Sequence, residues 1–125
     1  MIGNLKLHHV SFATRNLEAS KAFFGGVLGL EEIERLGFNF PGAWYALGDR
    51  QLHLIENLEH GAGPTARLSR ADHLALEVAD LDAVRGALQR HGVPFQEGGN
   101  RALGLEQIFC SDPDGHGIEF IKRRQ

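Results

Sequence analysis

Two stretches of the chain repeat the same order of apolar and polar positions. Residues 9–28 and 73–92 each begin with alternating apolar and polar side chains and continue with apolar residues spaced three or four apart. Strict alternation is typical of a half-buried strand, and the longer spacing is typical of a helix that packs on one face. The pattern therefore predicts a strand followed by a helix in each half of the chain.

Both predicted helices have start and stop signals. Asn16 and Asp80 are placed as N-caps, because their side-chain oxygens can accept the free N–H groups of a first helical turn. Gly29 and Gly92 follow the last apolar positions, where a glycine commonly ends a helix. The apolar faces comprise Phe23, Phe24, Val27 and Leu28 in the first helix and Leu81, Val84 and Leu88 in the second. We expect both faces to be core.

Each helix is followed by short apolar alternations interrupted by turn residues, which favour strands. The predicted strands cover residues 31–36, 43–47 and 51–56 in the first half and 94–97, 105–111 and 117–122 in the second. We therefore predict an α+β fold of two tandem β-α-β-β-β modules within one domain, 1–125. Module one covers about 5–56 and module two about 71–122, joined by a linker at about 57–70 that lacks apolar periodicity.

Composition narrows the class of protein. A net charge of -3, with Lys and Arg scattered along the 125 residues, gives no basic stripe for a nucleic acid. The single cysteine, Cys110, cannot form an internal disulfide and is expected to be a small buried side chain. No run approaches the ~20 apolar residues of a membrane span. We expect a cytoplasmic protein that binds neither membrane nor nucleic acid.

Four residues with metal-ligand chemistry share one face of the predicted strands. Alternation turns His9, His53, His73 and Glu119 away from the helices, so each module offers one on its first strand and one on its last. A single strand histidine is more often a hydrogen-bonded, half-buried side chain than a ligand. A carboxylate within an apolar run is costly to bury unpaired, however, and a metal would be a partner for it. Two sheets curved toward each other would bring the four together.

This ligand set predicts one divalent metal ion per site. Nitrogen and carboxylate ligands without cysteine suit zinc, nickel, cobalt, manganese and iron. Four protein ligands would leave positions for a chelating substrate, as a Lewis-acid enzyme requires. Glu119, the one carboxylate of the set, is the candidate catalytic base.

The four remaining histidines are expected to lie at the surface, and they are His8, His60, His91 and His116. Of these, His8 is expected to face away from His9.

Several short motifs, taken in order, resemble those of the vicinal oxygen chelate superfamily, in its glyoxalase and bleomycin-resistance branch. They are LHHV at 7–10, NLEAS at 16–20, FF at 23–24 with VLGL at 27–30, ADH at 71–73, and DPDG at 112–115 with IE at 118–119. The resemblance covers nearly the whole chain. It implies a cup-shaped mixed sheet around a metal, with the helices outside, and a homodimer that binds a small-molecule substrate.

The resemblance also implies a divalent-metal-dependent, glyoxalase-like lyase or isomerase of the lactoylglutathione lyase type, acting on an oxygen-chelating, thiol-conjugated substrate. In glyoxalase I enzymes the metal ligands occupy the positions of His9, His53, His73 and Glu119. The position of His53 is a glutamate there, which is a departure in this chain. Fosfomycin thiol transferases use a His-His-Glu set that matches His9, His73 and Glu119. Extradiol dioxygenases use a similar set and rank third, because they are longer and have a further acid-base histidine.

A binding module without chemistry is the alternative of a different class. Bleomycin-sequestering relatives have aromatic-lined clefts without metal ligands, and such a cleft could be lined by Phe38, Phe40, Trp44 and Tyr45. The intact ligand set argues against this interpretation. A substrate carboxylate or phosphonate could be held by an arginine, for which the candidates are Arg15, Arg67, Arg70 and Arg101.

Overall fold

The computed structural model of the protein describes residues 2–4, 6–35, 37, 39–59 and 72–122. The chain divides into two compact units, Met1–Gly61 and Ala62–Gln125. Most of the predicted linker lies outside the described residues. The extent of the single domain and the module boundaries stay predictions.

The first unit holds a helix and a four-stranded mixed sheet. Its elements are β1 (His9–Thr14), α1 (Leu17–Lys21) continued by a π-helical segment (Ala22–Val27), β2 (Glu32–Ile33), β3 (Gly42–Leu47) and β4 (Arg50–Glu56). The strand order is β1-β4-β3-β2. Strands β1 and β4 are parallel, and the other two pairs are antiparallel.

The second unit repeats this arrangement. Its elements are β5 (His73–Val78), α2 (Leu81–Arg90), β6 (Phe95–Asn100), a 3-10 turn (Arg101–Leu103), β7 (Leu105–Ser111) and β8 (Gly117–Lys122). The order β5-β8-β7-β6, with β5 parallel to β8, is that of the first sheet. The predicted α+β fold of two tandem β-α-β-β-β modules is confirmed, whereas the cup-shaped arrangement stays a prediction.

Both predicted N-caps and both glycine stops are confirmed. The side chain of Asn16 accepts a hydrogen bond from the N–H of Ala19 at 3.0 Å, and that of Asp80 accepts from two N–H groups of the first turn of α2. Gly29 and Gly92 have φ of +72° and +66°, the left-handed conformation that glycine adopts at little cost. No helix in the described ranges is long and apolar enough to span a membrane.

The structure departs from the predicted elements most clearly in three places, and β3 and β4 each begin one residue earlier than predicted. The first helix widens to π geometry, with the N–H of Leu28 bonded to the carbonyl of Phe23. Strand β2 is shorter than predicted over the described residues 31–35, of which only Glu32 and Ile33 pair with β3, and Leu36 lies outside the described residues. Strand β6 is longer, because the main chain of Gly98 and Gly99 continues the ladder with β7.

The core of each unit lies between its helix and its sheet. The fully or nearly buried apolar side chains of the first unit include Phe23, Phe24, Tyr45, Leu52 and Leu54, and those of the second include Leu81, Leu88, Ile108, Ile118 and Phe120. Apolar side chains on both sides of His53 and of Glu119 therefore face the helices, as the alternation predicted. The ligand-type residues between them are left to the opposite face.

Cys110 is part of the second core and should not react with thiol reagents in the native protein. It is 1% exposed, and burial, followed by the charge of Asp112, raises the pKa of its thiol to about 12. At pH 8 almost no thiolate is present, and the thiolate is the reactive form. We expect no labelling by iodoacetamide over hours and one label per chain in urea, as measured by intact mass. Rapid native labelling would contradict the burial of this side chain.

Candidate functional site

In the first unit, His9 and His53 lie side by side on the sheet face that is turned away from the helix. His9 pairs with Gln51 in the parallel ladder, so His53, two residues further along β4, is its diagonal neighbour. The two imidazole rings stack with centroids 4.0 Å apart. Trp44, which pairs with His53 from β3, also stacks on it at 4.0 Å. His53 is thus held between two rings and is only 6% exposed.

The surroundings of His53 favour its neutral form. Burial lowers the pKa of its imidazole, and the charges of His9, His8 and Arg35 lower it further. The Nε2 atom of His53 lies 2.8 Å from Oε1 of Gln51. With that oxygen as the acceptor, Nε2 carries the proton and Nδ1 carries the lone pair. A neutral imidazole with a defined tautomer is the form that binds a metal ion.

The prediction that His8 faces away from His9 is wrong. Their Nδ1 atoms are 2.9 Å apart. Strand β1 begins only at His9, so strand alternation does not decide the direction of the residue before it.

Of the other histidines, His116 contacts the buried carboxylate of Asp112 at 2.8 Å within the β7–β8 turn. His91 is the C-cap of α2, and His60 lies outside the described residues.

In the second unit, His73 and Glu119 occupy the equivalent positions. His73 pairs with Gly117 in the parallel ladder of β5 and β8, so Glu119 is again the diagonal neighbour two residues further along. Nε2 of His73 lies 3.1 Å from Oε1 of Glu119. Gln107 donates a hydrogen bond from Nε2 to the other carboxylate oxygen at 2.9 Å. Glu119 is 6% exposed, and these two contacts offset the cost of burying its carboxylate.

The structure therefore assembles two pairs of candidate ligands, one in each unit. Among the residues that the structure describes, no group of three or more His, Cys, Asp and Glu side chains could hold an ion. The convergence of His9, His53, His73 and Glu119 on one metal stays a prediction. The donor atoms of the two pairs suit a divalent metal ion, because neutral imidazoles and a carboxylate are ligands of the borderline divalent ions.

The four aromatic residues proposed to line a binding cleft do not share one face. Tyr45 is 1% exposed and belongs to the core, where its ring lies 3.3 Å from the point at which a Cβ on Gly25 would stand. Trp44 precedes it in β3 and faces His53 instead. Phe38 lies outside the described residues. Tyr45 therefore cannot line a cleft, which weakens the interpretation of the protein as a binding module.

Three polar residues near the ligand pairs were missed by the sequence analysis. Gln51 and Gln107 could have been found, because the alternation of β4 and β7 places them on the face of the ligands they contact. Arg35 carried no local signal, since it follows β2 in a segment without regular structure.

Among the arginines that were proposed to hold a substrate anion, Arg15 is exposed. Arg67 and Arg70 lie outside the described residues, and the side chain of Arg101 is not described.

Comparison with known proteins supports the same family. Residues 6–120 match the model of the Glyoxalase/Bleomycin resistance protein/Dioxygenase superfamily. The chain is 31% identical to Glyoxylase I 4 of Arabidopsis thaliana, over 90% of this chain and 68% of that protein. It is 30% identical to a lactoylglutathione lyase of Neisseria meningitidis serogroup A, over 96% of this chain and 92% of that protein.

The same fold is found in a solved structure of a fosfomycin resistance protein. The fosfomycin resistance protein FosX of Listeria monocytogenes superimposes with a TM-score of 0.74 at 19% identity, over 99% of this chain and 96% of that one. At this identity the likeness shows the fold alone. The match to the family model extends over most of the sequence, and both units have the topology that the resemblance implied. The chain therefore belongs to the glyoxalase/bleomycin resistance protein/dioxygenase superfamily.

Proposed function

We propose that the protein is a cytoplasmic, divalent-metal-dependent lyase or isomerase of the glyoxalase type, acting on a small oxygen-chelating, thiol-conjugated substrate. The observation that carries the proposal is the equivalent placement of two ligand pairs, His9 with His53 and His73 with Glu119. Similarity to a lactoylglutathione lyase along almost the full length of both chains supports it.

These four residues would hold the ion. When bound, the ion supplies Lewis acidity to an oxygen of the substrate, which makes a proton on the neighbouring carbon easier to remove. Stacking between Trp44 and His9 fixes the ring plane of His53 before any ligand arrives. Preorganised ligand side chains lose less conformational entropy when they bind.

Glu119 is the residue that would accept the proton. Gln107 holds one of its oxygens, so the carboxylate cannot rotate without losing a hydrogen bond. The other oxygen faces His73 at 3.1 Å. Glu119 is 6% exposed, and the low exposure of its carboxylate strengthens the electrostatic interactions that it makes. The residue is therefore oriented and shielded, as a general base requires.

A thiol transferase of the fosfomycin-resistance type is the second candidate, and the position of His53 favours it. The Nε2 atom of His53 is already engaged by Gln51, and its ring is stacked on two others. Such a residue can serve as a support for His9 rather than as a ligand. The remaining set of His9, His73 and Glu119 then matches the set that the resemblance implies for those transferases.

One substrate screen separates the candidates. The purified protein is assayed with glutathione hemithioacetals, with fosfomycin and small thiols, and with catechols, each in the presence of several divalent ions. We expect isomerisation of a hemithioacetal. Addition of a thiol to fosfomycin, with no isomerisation of a hemithioacetal, would show that the protein is a thiol transferase. Binding of a compound without turnover of any of the three substrate classes would favour the binding module without chemistry.

Metal content provides a test that does not depend on the substrate. We expect about one divalent ion per chain after gentle purification, because three imidazoles and a carboxylate should bind it well. His9→Ala and His73→Ala should each lower the content measured by elemental analysis. His91→Ala, which changes an exposed helix end, is the matched control and should leave it unchanged. Protein that holds no ion and takes none up on soaking would contradict the proposal.

A further inference from the structure

His8 and His9 are joined by a hydrogen bond between their imidazole rings, beside the first candidate ligand pair. Their Nδ1 atoms lie 2.9 Å apart, and the two rings are nearly perpendicular, with centroids 5.1 Å apart. Two ring nitrogens at this distance share one proton, so one of them carries the hydrogen and the other supplies a lone pair. The tautomer of His9 is therefore coupled to that of His8.

The direction of this hydrogen bond decides whether His9 can bind an ion. If His8 donates, Nδ1 of His9 is the acceptor, its Nε2 carries the proton of the neutral ring, and no lone pair is left for a metal. If His9 donates, its Nε2 keeps a free lone pair. The ligand role proposed for His9 requires the second direction, in which His8 is the acceptor.

The same contact selects one of two orientations of the His9 ring. Stacking on His53 at 4.0 Å fixes the plane of this ring. A half-turn about the Cβ–Cγ bond keeps that plane and exchanges Nδ1 with Cδ2 and Nε2 with Cε1. His9 is exposed, so core packing does not choose between the two orientations. Only one of them brings Nδ1 within 2.9 Å of His8, so the two contacts together define where Nε2 points.

The second unit has a hydrogen-bond acceptor at the equivalent sequence position. Asp72 precedes His73 as His8 precedes His9, and a carboxylate is a common partner of the second ring nitrogen of a metal-binding histidine. A neutral imidazole in place of a carboxylate accepts the same proton without adding negative charge. It therefore orients the ligand and leaves more of the charge of the ion to act on a substrate oxygen.

We propose that His8 is a positioning residue for the metal site: it accepts a hydrogen bond from Nδ1 of His9 and so directs the lone pair of Nε2 toward the ion. The role of His9 as a ligand rests on the proposed function, whereas the contact between the two rings does not. His8 acts through His9 and touches neither the ion nor the substrate.

The tautomer of His9 is measured in long-range proton–nitrogen correlation spectra of the ¹⁵N-labelled protein, before and after it is loaded with Zn²⁺. Comparison with His9→Gln identifies the signals of this ring. We expect Nδ1 of His9 to carry the proton and the resonance of its Nε2 to shift when zinc is added. A proton on Nε2, with Nδ1 unprotonated, would overturn the assignment.

Two substitutions separate the hydrogen bond from the bulk of the side chain. His8→Asn keeps an acceptor close to the position of Nδ1, and His8→Leu has a similar size without one. We expect His8→Leu to weaken binding of Zn²⁺ by about 10- to 100-fold, as for the loss of a partner that orients a ligand, and to remove the hydrogen-bonded Nδ1 proton signal of His9. His8→Asn should retain that signal and lose less affinity. Zinc affinity is measured by competition with a chelating dye.

His91→Leu is the matched control, because it makes the same change at an exposed helix end and should leave both measurements unchanged. Equal zinc affinity of wild type and His8→Leu, or equal losses in His8→Leu and His8→Asn, would overturn the role of His8. Wild-type protein that has the expected tautomer and binds no zinc would reject the proposed function, and with it the positioning role. Selective loss of zinc affinity in His8→Leu, without turnover of any hemithioacetal by the wild type, would keep the positioning role and reject the proposed reaction.

Discussion

Replacing Glu119 by glutamine is expected to lower isomerase turnover by about 10² to 10⁴-fold, beyond any loss of metal. The amide has nearly the same shape as the carboxylate, and its oxygen can still accept the hydrogen bond that Gln107 donates. It cannot accept a proton from carbon, however, which is the role proposed for Glu119. The variant therefore separates the function of this residue as a base from its function as a ligand.

The measurement is the turnover number of wild-type and variant protein at equal, measured metal content. Glu106→Gln is the matched control, because it makes the same change on an exposed residue of the neighbouring strand, on the helix side of β7. It should retain full activity. A metal-loaded Glu119→Gln protein that isomerises at the wild-type rate would exclude Glu119 as the base. Thiol transfer needs no carboxylate base, so a transferase would keep much of its activity in this variant.

Regular alternation made part of the fold predictable from the sequence. Strands β7 and β8 have the predicted bounds, because Ile108 and Ile118 and their neighbours alternate without interruption. The predicted strand β6 ends too early, at residue 97, because Gly98 and Gly99 have the sequence signal of a strand end. In the structure their main chains pair with β7, and a Cβ on Gly99 would collide with the carbonyl of Leu105. A glycine that permits close approach has the same sequence signal as one that ends a strand.

The sequence predicts those residues of the candidate site whose orientation follows from the alternation of side chains along a strand. The pairs of His9 with His53 and of His73 with Glu119 follow from alternation together with one parallel register in each unit. Arg35 follows from neither, because its position depends on a loop that returns through Phe40 and on the missing side chain of Gly42. Such contacts depend on tertiary packing that no local pattern encodes.

Mixing two inactive variants is expected to restore about a quarter of the wild-type activity. We propose a homodimer in which each site draws His9 and His53 from one chain and His73 and Glu119 from its partner, as the family resemblance implies. A mixed dimer of His9→Ala and His73→Ala then has one site with both lesions and one site with none. Random exchange makes about half of the dimers mixed, which leaves about one intact site in four.

The control is a mixture of His9→Ala with His53→Ala. Both lesions lie in the same module, so every shared site still has one of them, and no activity should return. Subunit exchange is established beforehand by native mass spectrometry of differently tagged chains, and turnover is measured at the plateau of exchange. If exchange is complete and the His9→Ala and His73→Ala mixture stays inactive, each site is built within one chain. Recovery in that mixture and none in the control requires that the two ligand pairs of a site come from different chains, because only that arrangement separates the two lesions.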